Sequence, residues 1–126
     1  MTRNRGKKMD KEKNLENRVK AFLKDEGVWY VKYWGGGGFT RAGVPDLLIC
    51  CNGVFLGVEL KASRGKPSDL QMVELHRIRD SGGLAVLLYP ESENIFRNLI
   101  HAIKTEKSLV VAACMQILEE RMEKYE

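Results

Sequence analysis

Three residues in the segment Val44–Lys61, VPDLLICCNGVFLGVELK, carry charge in a run that otherwise reads as protein core: Asp46, Glu59 and Lys61. Asn52-Gly53 in its middle is a strong signal for a two-residue type I′ hairpin turn. With those residues as the loop, Cys51 opposes Val54, and counting back sets Leu47 opposite Val58 and Asp46 opposite Glu59. One face of the ladder then collects Leu47, Ile49, Cys51, Val54, Leu56, Val58 and Leu60, all apolar. A slip of one residue would destroy that agreement. The other face brings Asp46, Glu59 and Lys61 together at the open end. Directly opposed strand residues hold their Cβ atoms roughly 4.5–5.5 Å apart. Two carboxylates at that separation repel unless positive charge lies between them.

A divalent cation would supply that charge. Hard oxygen ligands select Mg²⁺ or Mn²⁺ over zinc. Such an ion lowers the pKa of water and offsets charge on a phosphate oxygen. Lys61, on the same face, is placed to orient the attacking water and stabilise developing negative charge. Neighbouring carboxylates favour its charged form, which argues against a general base. The plainer alternative makes Asp46 a strand-start residue beside Pro45, and Glu59 and Lys61 a solvated edge pair. Pro-Asp and Glu-x-Lys are each common by chance, and it is the register that favours a metal site.

The elements that must position these groups follow from periodicity. Leu15, Val19, Phe22 and Leu23 recur on one face of a helix expected over about Asp10–Glu26. Val28–Trp34 is β-branched and aromatic, hence a strand. Gly35–Gly43 is a loop carrying one cation, Arg41, and it lacks the Gly-Lys-Ser/Thr of a nucleotide P-loop. A turn-rich basic connection follows the hairpin. Ser68 to Gln71 then forms a capping box opening a helix over Asp69–Asp80. Leu84–Pro90 is a buried strand. Helices follow over Glu93–Lys104 and from Ser108 towards the C-terminus. The order α-β-β-β-α-β-α-α gives a mixed four-stranded sheet with flanking helices, of α/β or α+β class, because a strand-helix-strand unit is a parallel crossover whereas the hairpin is antiparallel. Residues 11–126 form a single domain behind a basic flexible tail, 1–10, and 104–126 form a C-terminal helical extension.

Bulk composition narrows the function classes. The chain has 126 residues, enough for one domain with a real core. No apolar run approaches the ~20 residues that span a membrane. The basic N-terminus has no apolar segment behind it, so no secretory signal is expected and the expected location is cytoplasmic, with DNA. The three cysteines include adjacent Cys50 and Cys51, whose side chains point to opposite faces of a strand. Buried, reduced thiols are expected, and no Cys/His spacing suits zinc. The net charge of +4 permits a nucleic-acid partner. Much of the excess sits at Arg3, Arg5, Lys7 and Lys8, either a solubilising tail or a DNA-contacting arm.

Asp46 followed by Glu59-x-Lys61, with an acid on the upstream helix, resembles the PD-(D/E)xK nuclease superfamily. More closely, G-V-P-D-L at Gly43–Leu47, V-E-L-K at Val58–Lys61 and K-P-S-D-L-Q at Lys66–Gln71 resemble the VRR-Nuc family, including its small stand-alone members carried by phages and prophages. The resemblance covers about Asn14 to Pro90. It implies a restriction-endonuclease-like core and a Mg²⁺- or Mn²⁺-dependent nuclease, with Asp46, Glu59 and the Leu60 backbone carbonyl on the metal and Lys61 serving the water. Glu16 matches the upstream acid and lies beside Leu23 on a wheel of ~100° per residue, with Glu12 one turn earlier as its rival. Gln71 also matches, while equally serving as the third helical residue of the capping box. One departure is plain: the fourth strand, LAVLLYP, lacks the Val-Arg-Arg element that names the family.

Arg41 in the glycine loop, and Arg64 and Lys66 just past Lys61, are the expected phosphate contacts. Contacts of this kind position a substrate without reading its sequence. The resemblance implies branched DNA such as Holliday junctions. A four-way junction has two-fold character and calls for a C₂ homodimer, with the last helix either a candidate interface or a packing helix of the monomer. The alternatives are a non-catalytic nucleic-acid-binding module of the same fold, or a nuclease for flaps, ordinary duplex or RNA.

Overall fold

A computed structural model describes residues 2–35, 38 and 40–126, with the backbone alone over 2–11. Helix α1 runs Thr2–Asp25, followed by strand β1 (Trp29–Lys32), the hairpin β2 (Leu47–Cys51) and β3 (Val54–Leu60), α2 (Asp69–Asp80), β4 (Leu84–Leu88), a 3-10 turn at Pro90–Ser92, α3 (Glu93–Lys104) and α4 (Ser108–Glu123). The sheet order is β1-β2-β3-β4. The first two pairings are antiparallel and β3–β4 is parallel, the mixed α+β sheet expected from the element order.

The hairpin has the register read from its turn. Leu47 pairs with Val58, Ile49 with Leu56 and Cys51 with Val54. Asn52 and Gly53 both take positive φ, 49° and 80°, as a type I′ turn requires. Leu47, Ile49, Cys51, Leu56, Val58 and Leu60 are all buried, in one cluster with Leu15, Val19, Phe22 and Leu23 of α1 and Phe96, Leu99, Ile100 and Ile103 of α3. The opposite face is covered over β3 and β4 by α2, where Met72 and Leu75 meet Ala85, Leu87 and Tyr89.

Two expectations change, and one alternative is decided. The helix begins at Thr2 instead of near Asp10, so the backbone of the presumed flexible tail is helical from residue 2. The side chains of Arg3, Arg5, Lys7 and Lys8 lie outside the described residues. Cys50 is exposed and only Cys51 and Cys114 are buried, because α2 leaves the β1–β2 half of its face bare. Trp29 and Val31 are exposed on that half too, as is Phe55 at the start of β3, the strand partner of Cys50. Helix α4 is built into the monomer: Cys114, Met115 and Leu118 join the first cluster and Met122 the second. It thus runs past β4, covering an edge strand that would otherwise offer unpaired backbone groups. Its outward side keeps Leu109, Val110 and Ile117 in solvent. Among the described residues, no helix is long and apolar enough to cross a membrane.

Candidate active site

The charged residues of the hairpin meet where β2 begins and β3 ends. Asp46 stands just outside the ladder, whose last β2–β3 pair is Leu47–Val58, so it is not the strand partner of Glu59 that the register count suggested. Its backbone is held from the other side, where the Tyr33 N–H donates to the Asp46 carbonyl at 2.8 Å. Its side chain turns towards β3, and Oδ2 accepts the Leu60 N–H at 2.8 Å. Leu60 therefore meets Asp46 through its amide. Gly43 sets this entry: its φ is +84°, and an added Cβ would lie 2.5 Å from the Leu70 carbonyl oxygen at the start of α2. Only glycine accepts both constraints without strain.

Glu59 is 2% exposed, the one buried charged residue among those described. Its Oε2 accepts the Gln71 side-chain N–H at 2.9 Å and lies 3.5 Å from Lys61 Nζ. Its Oε1 is buried and has no hydrogen-bond partner among the described residues. Burial first, and then the Asp46 carboxylate, push the Glu59 carboxyl up to about 8, against the opposing pull of Lys61. A buried acid thus sits beside a half-buried one, with one oxygen lacking a donor, an arrangement whose cost falls when a cation fills it.

Gln71 both caps α2 and reaches the Glu59 carboxyl group. Its Oε1 accepts the Ser68 N–H at 2.8 Å and its backbone N–H donates to Ser68 Oγ at 3.1 Å, closing the capping box. Its Nε2 is left over for Glu59. The first turn of α2 is therefore fastened directly to the buried carboxylate.

Glu16 comes to the site and Glu12, in solvent, does not. The link is Lys32, which the sequence reading missed: its Nζ donates to Glu16 Oε1 at 2.6 Å and to Asp46 Oδ1 at 3.3 Å. Lys20 adds a second contact to Glu16, at 2.9 Å. Burial works to raise the Glu16 carboxyl, but Lys32 and Lys20 outweigh it and hold it below the ordinary range. Burial likewise works to lower Lys32, and Glu16 and Asp46 outweigh it in turn. A single charge inside VWYVKYW was the available signal, the same anomaly that marked Asp46 and Glu59.

The three proposed phosphate contacts divide. Arg64 and Lys66 are exposed beyond the end of β3. Arg41 is engaged with Glu74 of α2 at 2.8 and 3.1 Å, and its backbone is tied to the Tyr33 hydroxyl. Among the described residues, no three His, Cys, Asp or Glu side chains cluster as a metal site. Asp46 and Glu59 are the two carboxylates that could hold a metal, and one or two carboxylates are what Mg²⁺ commonly takes from a protein, with phosphate and water supplying the rest.

A family match covers residues 7–89, well over half of the chain, and it is to the archaeal Holliday junction resolvase (Hjc) family. The chain belongs to that family. The Hjc match takes in Glu16, Lys32, Asp46, Glu59, Lys61 and Gln71, and it closes at Tyr89, so α3 and α4 lie beyond it. Hjc membership accords with the restriction-endonuclease-like arrangement of the sheet and places the chain among nucleases of the PD-(D/E)xK kind. No curated protein matches the chain.

Proposed function

We infer that this protein is a divalent-metal-dependent DNA endonuclease selective for branched DNA, Holliday junctions above all. The observation that carries the reading is the buried Glu59 oxygen without a donor, set against Asp46 with Lys61 alongside, in a chain of the Hjc family. Asp46 and Glu59 would hold Mg²⁺ or Mn²⁺, with the Leu60 carbonyl as a further oxygen donor. Bound there, the ion would supply charge for the phosphate oxygens and acidify water.

The chain's own residues do the remainder. Hydrolysis forms a bond from a water oxygen to phosphorus and breaks a bond from phosphorus to a sugar oxygen. Lys61 holds the attacking water and offsets charge gathering on the phosphate. Gln71 fixes the Glu59 carboxylate in one orientation. Lys32 keeps Asp46 and Glu16 in register. Arg64 and Lys66 meet the phosphate backbone, and Arg41 joins them by exchanging Glu74 for a phosphate. Contacts to backbone alone carry no sequence information, which favours recognition of shape.

A homodimer belongs to this reading, since a four-way junction presents two related strands for cutting. Two exposed apolar surfaces suit it: Leu109, Val110 and Ile117 on α4, and Trp29 and Val31 on the bare half of the sheet with Phe55 at the start of β3. Sedimentation of Ile117→Glu against Val31→Glu tells which one associates. The G-V-P-D-L, V-E-L-K and K-P-S-D-L-Q segments add a likeness to the small stand-alone VRR-Nuc enzymes of phage type.

A panel of four-way junctions, flaps, forks, linear duplex and RNA, with Mg²⁺ or Mn²⁺, tests the function. Wild type should cut junctions in preference to duplex, and Lys61→Ala should lose roughly 100-fold or more in rate while still binding. Binding with no metal-dependent cleavage of any substrate would establish the non-catalytic module instead.

A further inference from the structure

The turn that follows Lys61 is held by the end of the chain. Ala62 to Gly65 folds back on itself, with the Gly65 N–H donating to the Ala62 carbonyl at 2.8 Å. The fold is tight: a Cβ on Gly65 would stand 3.3 Å from the Lys61 Cβ and 3.2 Å from the Ala62 carbonyl oxygen. Two aromatic and basic side chains grip it from outside. The Tyr89 hydroxyl donates to the Gly65 carbonyl at 2.8 Å. Arg121, in the last turn of α4, donates from Nη2 to the Ser63 carbonyl at 3.2 Å. The Arg121 guanidinium also lies over the Tyr89 ring, 3.9 Å from its centre, so the two grips brace each other.

Further contacts close the arrangement. Arg121 Nη1 stands 3.6 Å from Glu91 Oε2. The Ser63 side chain, and then Arg121, hold the Glu91 carboxyl below its ordinary range. Tyr125 follows, its hydroxyl 3.5 Å from that of Tyr89, and it packs on the cluster under α2. At the near end of the turn, the Lys61 N–H donates to the Leu88 carbonyl, the residue before Tyr89. The two ends of the turn are thereby referred to the last residue of β4 and to Tyr89 just after it, and its middle to α4.

We propose that Arg121 is a positioning residue for the nuclease reaction, clamping the Ala62–Gly65 turn on Tyr89 so that Lys61 and Arg64 face the scissile phosphate in a fixed direction. This assignment rests on the nuclease reading above and extends it to a helix outside the span of the family match. A backbone carbonyl held by a planar guanidinium that is itself stacked has little freedom left, because the fork is pre-organised. Displacing a reacting group by about 1 Å can cost roughly 100-fold in rate, so a remote clamp of this kind acts on turnover before it acts on binding.

The test compares Arg121→Ala, Arg121→Met and Arg121→Lys with wild type in the full chain. Amide hydrogen exchange at Gly65 reads the turn without requiring catalysis, and kcat and KM on a four-way junction with Mg²⁺ read the consequence. Arg121→Ala and Arg121→Met should speed Gly65 exchange by about tenfold or more. They should lower kcat by about 10- to 100-fold with KM within about twofold. Arg121→Met keeps the aliphatic stem, so it carries the test if the alanine variant folds poorly. Arg121→Lys keeps one donor and the charge but not the planar, stacked fork, so it should recover only part of the rate and of the Gly65 protection. Unchanged Gly65 exchange in the alanine and methionine variants, or kcat within about twofold of wild type, overturns the proposal. A wild type that cuts nothing with either metal overturns the nuclease reading and the catalytic part of this one, and Gly65 exchange then decides the clamp by itself.

Discussion

Gln71 joins the capping box of α2 to the buried acid of β3: its Nε2 donates to Glu59 Oε2 at 2.9 Å. Helix position and carboxylate orientation are therefore one mechanical unit. Ser68→Ala removes the Oγ cap and leaves the amide on Glu59, whereas Gln71→Ala keeps Ser68 Oγ on the residue-71 N–H and removes the return bond to the Ser68 N–H together with the bond to Glu59. Each should lower unfolding free energy by about 1 kcal/mol, the usual worth of a cap. Only Gln71→Ala should also cut the rate of metal-dependent cleavage, by roughly tenfold or more, because Glu59 then loses its one neutral donor. Urea unfolding alongside single-turnover cleavage checks the split.

Lys32 places one ammonium between Glu16 and Asp46. Lys32→Met keeps much of the side-chain volume and removes that charge. Without added metal, the variant should lose about 1–3 kcal/mol of stability, since the two carboxylates lose their shared donor. Its stabilisation by added Mg²⁺ should exceed that of wild type, because the unrelieved negative charge favours a cation more. Denaturation curves with and without Mg²⁺ decide the matter. A variant equal to wild type in both conditions would remove Lys32 from the account.

The Glu59 carboxyl, near 8 in the folded chain and near 4.5 when unfolded, makes metal-free stability depend on pH. The folded state keeps a proton that the unfolded chain gives up, so this contribution is fully present below about 4.5 and is lost as pH rises towards 8. The metal-free protein should thus weaken across that window by a few kcal/mol, and Glu59→Gln should flatten the trend and be the more stable protein at pH 8. Mg²⁺ requires the ionised form, so its apparent affinity should rise over the same interval. Urea midpoints taken from pH 5 to 8 measure both effects.

Much of this was written locally. Alternation of side chains, together with a turn whose two residues both tolerate positive φ, sets which residues share a face, so the hairpin register and its buried face could be counted from residues 47–60. The start of α2 followed from its capping box in the same way. The start of α1 did not, because eight further residues of helix carry no apolar face to announce them. The exposure of Cys50 depended on how far α2 reaches across the sheet, which no strand pattern encodes.

The site divides along the same line. The sequence alone singled out Asp46, Glu59 and Lys61, because charge in an apolar strand is an anomaly visible one segment at a time, and the family resemblance added Glu16 and Gln71. Only the folded chain decided that Asp46 leaves the ladder to accept the Leu60 amide, that Lys32 ties Glu16 to it, and that Arg121 grips the turn beyond Lys61 from 58 residues away. Those are contacts between segments distant along the chain. Their geometry comes from helix and sheet packing, and no local periodicity records it.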